Sequence, residues 1–313
     1  MLLHHLSTIV MKGERPNILC VGYLNFDEVI HLDDKLADER SVQAESFESA
    51  GGGATNTALV LSGLDRIGDV WMAGALGSDK RGDLVMEALQ EQGVELAIPR
   101  YDDIPTTKIR AIVQEDSKPQ YIHEDIELPK FAPSDVEDGV WNDVDHVHMT
   151  SFHPEMTVEF ASKAEEAGAS ISMNPTQGYF SNSYEDVVEM SDLVQMNRQE
   201  SEKFRERNGP LGSIVDSLDT DVVMTHGPAG CTMHSREGVV SHPGFPDAVD
   251  DVVDTIGAGD TFMAGLLSSW LHDEELEDCL RTANSFGACA VKNLGAPDRV
   301  DQGVARSIRS PED

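Results

Sequence analysis

Short apolar runs alternate with segments of helical periodicity along most of this chain. Runs of this kind are typical of buried strands in a parallel sheet, and the spacing of apolar residues between them favours amphipathic helices. We predict strands at 18–22, 70–75, 147–150, 169–173, 193–197 and 222–225, and two short ones at 231–234 and 239–242. We predict helices at 54–67, 80–92, 154–168, 185–191, 198–206, 259–272 and 274–294. The alternation indicates an α/β fold with a mostly parallel central sheet and helices on both faces.

Two more polar regions do not fit that sheet. Their half-exposed alternation predicts short strands at 29–32 and 43–47, and a hairpin of strands at 106–113 and 120–124. We expect these strands to form a small β-layer over the carboxyl ends of the central strands, where open α/β sheets bind their ligands.

The chain is predicted to form a single α/β domain at 15–300, with the small β-layer inserted near 27–47 and 101–126. Residues 1–14 are expected to be an N-terminal extension, and Met11 is a second candidate start. Because this segment has no basic flank and no small-residue cleavage site, and no apolar run has transmembrane length, we expect a cytoplasmic protein.

The charge is extreme: 57 acidic residues stand against 23 basic ones, for a formal net charge of −34. The acidic residues are spread along the chain and do not form a tail. Such a surface repels nucleic acid and anionic membranes, so neither is expected as a partner. Adaptation to a salt-rich cytoplasm explains the charge, because dissolved salt screens like charges within a few ångströms.

The cysteine residues lie far apart and match no zinc-binding spacing. They occur in apolar strand or helix patterns, so we expect reduced, buried thiols. These residues are Cys20, Cys231, Cys279 and Cys289.

The most informative stretch runs from Asp254 to Phe262, where a glycine-rich turn opens an apolar helix. The backbone N–H groups of Gly257, Ala258 and Gly259 are placed to bind an anion at the positive end of the helix dipole. Asp260 lies inside this anion site, where it could take a proton from an attacking hydroxyl during phosphoryl transfer. A helix-capping carboxylate is the simpler alternative, but the flanking glycines favour the catalytic interpretation.

A second glycine-rich turn, Gly51-Gly52-Gly53, precedes the helix predicted at 54–67. Three glycines exceed the needs of a tight turn, and Asn56 faces the same mouth one helical turn later. We interpret this pattern as bare backbone that lets a polyol approach closely. Asp27 follows a buried strand, which is a ligand-binding position, although it could also be a solvated loop residue.

These motifs occur in a fixed order, and together they identify a resemblance to a known family. The motifs are Asn25-Phe26-Asp27, Gly51-Gly52-Gly53-Ala54-Thr55-Asn56-Thr57-Ala58, Gly74-Ala75-Leu76-Gly77-Ser78-Asp79 with Gly82, Asn197-Arg198-Gln199-Glu200, Thr225-His226-Gly227 with Gly230, and Asp254-Thr255-Ile256-Gly257-Ala258-Gly259-Asp260. The chain resembles the ribokinase (PfkB) family of small-molecule kinases along essentially its whole length.

The resemblance implies a ribokinase-like three-layer sandwich with a β-lid, which in many members also makes a dimer contact. It implies transfer of the γ-phosphoryl group of ATP to a sugar-like hydroxyl. Asp260 would be the general base, and Gly257, Ala258 and Gly259 would form the anion hole. The acceptor would be bound by Asn25, Asp27, Gly52, Gly53 and Asn56.

The resemblance also implies sites for the nucleotide and for two cations. Nucleotide contacts would come from Asn197, Thr225, Gly227, Gly230 and Asn284. Asn197 and Glu200 would organise Mg²⁺ through water, although Asn and Glu at a helix start also form ordinary caps. Asp254 and the Ile256 carbonyl resemble the start of a loop that binds a monovalent cation such as K⁺.

One physical clue bears on the acceptor. Thr106, Lys108 and Arg110 alternate along a predicted strand and so share one face, and His123 lies on the partner strand. Cations clustered in so acidic a protein suggest a bound anion, which would make Lys108 and Arg110 acceptor-binding residues. Salt bridges to nearby acidic residues are the equal alternative. The first case favours a phosphorylated pentose such as ribose 1-phosphate, or 2-keto-3-deoxygluconate; the second favours a neutral sugar or a nucleoside.

Two other functional classes deserve comparison. A sugar- or nucleotide-binding regulator on the same scaffold is possible in principle, but Asp260 is intact, and a regulator has no need of the catalytic carboxylate. A dinucleotide-dependent dehydrogenase is disfavoured, because no G-x-G-x-x-G follows the first strand and the glycine-rich turn lies near the C-terminus.

Overall fold

In the computed structural model, the residues described are 14–32, 41–114, 120–124, 130–150, 152–175, 187–209, 220–249 and 251–292, with positions 215, 300, 305, 307 and 308. The predicted N-terminal extension at 1–14 lies outside these residues except for its last position. Parts of the predicted β-layer and of the predicted helix at 185–191 also lie outside them.

A nine-stranded sheet forms the centre of the molecule. Its strands are β1 (Ile18–Val21), β4 (Val70–Ala73), β5 (Val94–Leu96), β8 (His146–Thr150), β9 (Ser170–Asn174), β10 (Leu193–Asn197), β11 (Asp221–Thr225), β12 (Cys231–Ser235) and β13 (Gly238–His242). The strand order is β13-β12-β11-β10-β9-β8-β1-β4-β5. Pairing is parallel throughout except at β11–β12 and β12–β13, which are antiparallel. This arrangement confirms the predicted mostly parallel central sheet.

Helices cover both faces of this sheet. They are α1 (Gly53–Ser62), α2 (Lys80–Gln92), α3 (Asp138–Asp143), α4 (Pro154–Ala167), α5 (Arg198–Asn208), α6 (Ala258–Trp270) and α7 (Leu276–Ala290). One apolar core joins β1 and β4 to α1, α2, α6 and α7. Two further cores lie on the opposite face, against α3 and α4 and against α5. The sheet and the helices on its two faces form three layers. In one outer layer, α1 and α6 lie side by side, so the two glycine-rich turns at their N-termini are neighbours.

A second, four-stranded sheet holds the remaining strands, β2 (Asn25–Leu32), β3 (Ala44–Gly51), β6 (Thr107–Gln114) and β7 (Gln120–His123). Its order is β3-β2-β6-β7, with the inner pair β2–β6 parallel and the outer pairs antiparallel. The predicted hairpin is confirmed as β6 and β7. We call this small sheet the lid.

The described cysteines agree with their prediction, because Cys20, Cys231, Cys279 and Cys289 are all free and buried. Among the helices described, none is long and apolar enough to cross a membrane.

Candidate active site

The catalytic turn, which we define as Gly257 to Asp260, forms the start of α6. Gly257 caps the helix with φ of 72°, a left-handed conformation that glycine adopts without strain. Ala258 N–H donates weakly to the Thr255 carbonyl at 3.4 Å. Within the described residues, the N–H groups of Gly257 and Gly259 bond to no protein acceptor. Both therefore remain available to an anion at the positive end of the helix dipole.

Asp260 lies in the first turn of α6 and is half-buried. Its carboxylate accepts a hydrogen bond from Asn56 Nδ2 at 2.8 Å. Burial raises the pKa of Asp260 to about 6, and the bond from Asn56 opposes that rise. A carboxylate with a pKa near 6 is ionised at neutral pH yet is a stronger base than a solvated one, which suits proton abstraction.

The three glycines of the second turn make room for other groups of the site. A Cβ on Gly51 would collide with the Asp27 carboxylate, and one on Gly52 would collide with the Tyr23 carbonyl. A Cβ on Gly53 would press on Asp260 Oδ1 at 3.1 Å. Gly52 also has φ of 102°, a conformation that residues with a side chain rarely adopt. Both this conformation and the nearby Tyr23 carbonyl therefore require glycine here. The glycines thus admit the carboxylates of the site, a role that the sequence pattern alone did not indicate.

Asp27 and Asn25 lie on β2 at the same mouth. Burial, followed by the negative charge of Asp260, raises the pKa of Asp27 to about 7. Asp27 Oδ1 and Asn56 Oδ1 are buried and accept no hydrogen bond from any described residue. Two unpaired acceptor oxygens beside the Asp260 carboxylate form a subsite suited to a ligand that carries several hydroxyl groups.

A cavity of about 430 Å³ opens beside the catalytic turn. It is lined by four of the predicted nucleotide-binding residues, namely Thr225, Gly227, Gly230 and Asn284, and by Ala258 and Gly259 of the turn. Most of its remaining wall is apolar, and sequence reasoning missed these residues: Phe245, Pro246, Val249, Val252 and Val291. The Gly-Phe-Pro turn at 244–246 is the one signal that could have indicated them. A cavity with apolar walls and an N–H row at one end fits a base joined to phosphates.

Asn284 is held in this cavity by a specific contact. Its Nδ2 lies 3.0 Å from His242 Nδ1 and 3.2 Å from Cys231 Sγ. The Gly244 N–H also donates to His242 Nδ1, at 3.2 Å. Because two donors converge on that ring nitrogen, it must be the unprotonated acceptor, and His242 is neutral. Burial, followed by the positive charge of Arg281, lowers the pKa of His242, in agreement with this state.

Asn197 and Glu200 form a capping box at the start of α5. Asn197 Oδ1 accepts from the Glu200 N–H at 2.9 Å, and Glu200 Oε2 accepts from the Asn197 N–H at 2.8 Å. Burial raises the pKa of Glu200 to about 7, and the charge of Asp260 contributes to the rise. The capping box uses only Oε2 of Glu200, so the pair can cap the helix while Oε1 still faces a cation.

Asp254 is 5% exposed, and its Oδ1 accepts from the Ile256 N–H at 3.0 Å. The backbone N–H groups of Val253 and Asp254 both donate to the Val291 carbonyl, which brings this loop to the end of α7. The remaining ligands of the cation loop that the resemblance implies are expected near 290–295, of which 293–295 lie outside the described residues. Among those described, no group of three or more His, Cys, Asp or Glu side chains could hold a metal ion by itself.

Lys108 and Arg110 do not join the site, which corrects their predicted role as acceptor-binding residues. In-register pairing places Phe26 and Glu28 beside them on one face of the lid, and Asp27 on the other. Glu28 bonds Lys108 at 2.9 Å and Arg110 at 2.7 Å. The salt-bridge alternative therefore describes these two cations. The sequence could not settle it, because the side that faces the site depends on how β2 pairs with β6.

His123 also lies apart from Lys108. It pairs with Ile109, and this register puts it on the Asp27 face of the lid, together with Tyr121. Tyr121 is 53% exposed, and partial loss of solvent, followed by the charges of Asp254, Asp27 and Asp260, raises its pKa. Tyr121 and His123 thus lie on the same face of the lid as the Asp27 carboxylate. The sequence had assigned neither of them to the site.

The sequence of the chain is similar to a family model and to individual proteins of known activity. Residues 15–302 match the model of the "pfkB family carbohydrate kinase". An ATP-dependent ribose-1-phosphate kinase from Halopiger xanaduensis is 31% identical over 283 residues, covering 89% of this chain and 93% of that protein. Adenosine kinase from Saccharomyces cerevisiae is 25% identical and covers 84% of each chain. The genus of the first relative agrees with the salt-adapted origin that the charge predicts.

Solved structures confirm the fold. Ribokinase from Arabidopsis thaliana, in complex with ribose and ATP, superposes with a TM-score of 0.78 at 21% identity, covering 95% of this chain and 99% of that one. A nucleoside kinase from Methanocaldococcus jannaschii gives a TM-score of 0.78 at 20% identity with the same coverage.

Proposed function

The chain belongs to the pfkB family of carbohydrate kinases, and from that premise we propose that it transfers the γ-phosphoryl group of ATP to a hydroxyl of ribose 1-phosphate. The observation that carries the phosphotransfer is the catalytic turn. Its free N–H groups, its carboxylate and the adjacent cavity meet at one point of the sheet edge. The choice of acceptor is supported by the 31%-identical relative from Halopiger xanaduensis.

In the proposed reaction, Asp260 takes the proton of the acceptor hydroxyl. The hydroxyl oxygen forms a bond to the γ-phosphorus, the bond from that phosphorus to the β–γ bridging oxygen breaks, and ADP leaves with its electron pair. The N–H groups of Gly257 and Gly259 stabilise the negative charge on the group in transit. The base accounts for about 10²–10⁴-fold of the rate, and each N–H donor for about 3 kcal/mol.

The acceptor is proposed to bind through the unpaired oxygens of Asp27 and Asn56. Both accept hydrogen bonds, so they favour a ligand that offers hydroxyl donors. Asn25, Gly52 and Gly53 complete this subsite, with the two glycines supplying the space in which Asp260 and the Tyr23 carbonyl sit.

Magnesium is proposed to be held through water by Glu200 and Asn197. The donor set fits, because Mg²⁺ prefers hard oxygen ligands, keeps several waters and uses one or two carboxylates together with phosphates. Burial raises the pKa of Glu200, so a neighbouring cation would stabilise its ionised form. When bound, the metal would neutralise charge on the phosphates. We also propose that K⁺ binds near Asp254 and the Ile256 carbonyl.

A homodimer through the lid is a further proposal. Three of the large apolar side chains that are most exposed among the described residues lie on the outer lid strands, namely Phe47, Tyr121 and Ile122. Exposed apolar surface of this kind supports an interface. Sedimentation in molar KCl checks it, and a monomer at all concentrations would contradict it.

A neutral sugar or a nucleoside is the second candidate acceptor. It is favoured by one observation: on the Asp27 face of the described lid strands there is neither Lys nor Arg. Lys108 and Arg110, which would have held an acceptor phosphate, are turned away and paired with Glu28.

The deciding experiment measures ADP release at molar KCl with Mg²⁺ and ATP. The acceptor panel contains ribose 1-phosphate, ribose, fructose, 2-keto-3-deoxygluconate, adenosine and cytidine. Turnover on ribose 1-phosphate well above that on ribose supports the proposal. Preference for ribose, fructose or a nucleoside selects the second candidate, preference for 2-keto-3-deoxygluconate indicates a sugar-acid kinase, and no turnover on any acceptor would favour the regulatory alternative.

A further inference from the structure

A chain of side-chain hydrogen bonds outside the predicted site ends on the catalytic turn. Asn174, the last residue of β9, donates from Nδ2 to Gln195 Oε1 at 3.3 Å. Gln195, on the neighbouring strand β10, donates from Nε2 to the Gly259 carbonyl at 3.1 Å. Gln195 is 5% exposed, so solvent does not compete for these bonds.

The polarity of this chain is fixed by chemistry. The Gly259 carbonyl can only accept, so the nitrogen of the Gln195 amide must face it. The oxygen of the same amide then faces Asn174, which must offer its own nitrogen. The bond from Asn174 therefore stabilises the same orientation of the Gln195 amide that the Gly259 carbonyl requires. Asn174 Oδ1, on the far side, is buried and unpaired among the described residues.

The bond reaches a peptide that matters for catalysis. The peptide plane that joins Gly259 to Asp260 carries the Gly259 carbonyl at one end and the Asp260 N–H at the other. Turning this plane turns the backbone from which the Asp260 side chain projects. From α1, Thr57 Oγ1 lies 3.3 Å from the Asp260 carbonyl and 3.1 Å from the Gly53 carbonyl, so its one hydrogen is shared between these two acceptors. Strand β10 and helix α1 thus hold the turn from two directions.

A purely structural need for this bond is weak. Gly259 lies inside α6, so its carbonyl already has the helical N–H four residues later as a donor. Gln195 adds a second bond to an oxygen that is already satisfied. The turn itself is rich in glycine, whose backbone is freer than that of other residues, so an outside restraint has most effect there.

We propose that Gln195, oriented by Asn174, is a positioning residue for phosphoryl transfer: it fixes the Gly259–Asp260 peptide so that Asp260 faces the acceptor hydroxyl. This inference rests on the proposed function of the catalytic turn. Small misplacements of a reacting group lower the rate steeply without weakening substrate binding to the same degree. The signature of a positioning residue is therefore a fall in kcat at nearly constant KM.

Two substitutions test the donor. Gln195→Met keeps the length of the side chain and removes the donor, and Gln195→Glu replaces the donor with an acceptor that repels the Gly259 carbonyl. We expect kcat to fall by at least about tenfold in Gln195→Met and further in Gln195→Glu, with KM for ATP and acceptor within about threefold. Gln90→Met, on the exposed side of α2, is the matched control and should leave both constants unchanged.

A double-mutant cycle tests the role of Asn174. Because Asn174 acts through Gln195, Asn174→Leu should lower kcat in the parent but have no further effect in the Gln195→Met background. Additive losses would overturn the proposed relay, since Asn174 would then act on its own. A rise in KM at constant kcat in Gln195→Met would overturn the positioning role and assign Gln195 to binding.

Hydrogen exchange separates this inference from the proposed function. Peptides that contain the catalytic turn should exchange faster in Gln195→Met than in the parent, and not in Gln90→Met, whether or not an acceptor is turned over. Unchanged exchange would overturn the positioning role. Faster exchange in a protein with no phosphotransfer activity would instead contradict the function and leave the restraint standing.

Discussion

Asn56 Nδ2 lies 2.8 Å from Asp260 Oδ2, a bond that joins α1 to α6 across 204 positions of the chain. The donor stabilises the ionised carboxylate, while burial of Asp260 disfavours it. The balance of these two effects sets the pH at which Asp260 ionises and, under the proposed mechanism, the pH at which it can act as the base. The two glycine-rich turns are therefore coupled electrostatically as well as by their position in the fold.

Removing that donor should shift the pH dependence of the reaction. The pKa of Asp260 is about 6 with the bond in place, so activity is expected to fall as the pH drops through about 6. Asn56→Ala should raise the pKa of Asp260 further and move the acid limb of kcat/KM to higher pH. Rates measured from pH 5 to 9 at molar KCl check this. An acid limb that stays in place, or moves to lower pH, would contradict it, and Asn142→Ala on the exposed side of α3 is the control.

Asp260→Asn should abolish turnover and leave nucleotide binding intact. The substitution keeps the shape of the side chain but removes the proton acceptor, so kcat should fall by about 10²–10⁴-fold. ATP binding, followed by calorimetry, should change little, because Asp260 is not among the residues that line the nucleotide cavity. Retained turnover would remove Asp260 as the base.

Asp27→Asn should stabilise the ligand-free protein at neutral pH. The folded-state pKa of Asp27 is about 7, above the ordinary value of 3.8, so folded protein binds its proton more tightly than unfolded chain. The contribution of this group to stability is complete below about pH 4 and is lost as the pH rises through about 7. Replacing the carboxyl by an uncharged amide should gain on the order of 2 kcal/mol at pH 7.5.

Thermal unfolding of parent and Asp27→Asn at pH 5 and pH 7.5 measures this effect. The advantage of the variant should be largest at pH 7.5 and shrink at pH 5, where the parent carboxyl is protonated. An equal difference at both values would show that Asp27 carries no raised pKa. Asp65→Asn, on the exposed loop after α1, supplies the control for removal of one negative charge.

Lys108→Met should leave acceptor binding unchanged. Lys108 lies on the lid face opposite Asp27 and is paired with Glu28 at 2.9 Å, so its charge is not available to an acceptor phosphate. KM for ribose 1-phosphate should stay within about twofold of the parent value. Glu28→Gln, by contrast, should cost about 2 kcal/mol of folding free energy, because it leaves a buried ammonium without its carboxylate. A tenfold rise in KM for Lys108→Met would return Lys108 to the acceptor site.

Local patterns predicted most of the central sheet and of the helices, but they missed the short strand β5 and the short helix α3. Strand β10 at 193–197 and helix α2 at 80–92 have the predicted bounds. A mainly apolar run, broken only by Gln195, marks the strand, and the Asp79 cap together with the αL Gly93 marks the two ends of the helix. Helix α1 ends at Ser62, five residues before the predicted end, where Gly63 bonds back to the helix carbonyls. Leu64 and Ile67, which follow the helix, are apolar because they pack into the core and not because they belong to the helix. Their spacing therefore extended the predicted helix too far.

The sequence predicted those site residues that lie within one turn of the chain. It did not predict which side chains face the site where that depends on the pairing of two distant strands. Gly257 and Asp260 are neighbours in sequence, so their geometry follows from a local motif. The face on which Lys108 lies depends on a parallel pairing with β2, more than 80 positions earlier in the chain, and no periodicity within β6 reports it. The Gln195–Gly259 bond is equally non-local, since it joins two elements that are adjacent only in the folded sheet.

His242→Phe should weaken nucleotide binding without slowing the chemical step. His242 Nδ1 is the acceptor that fixes the Asn284 amide and the Gly244 N–H at the edge of the nucleotide cavity. Phenylalanine keeps the ring, which lies 5.1 Å from Phe245, but offers no acceptor. Losing about 1 kcal/mol of orientation at Asn284 should raise KM for ATP about fivefold at constant kcat.

The control for this last substitution is His234→Phe, on the neighbouring strand β12. His234 pairs with Val222 and Val239 and does not line the nucleotide cavity, so its loss should leave KM for ATP unchanged. Comparing the two variants separates the fixed amide from a general effect of removing histidine near the sheet edge. Equal rises in KM for both variants would show that the His242–Asn284 contact has no special role. A fall in kcat confined to His242→Phe would instead show that the contact affects the chemical step. The orientation of the nucleotide's purine or pyrimidine ring would then control the position of the phosphates at the catalytic turn.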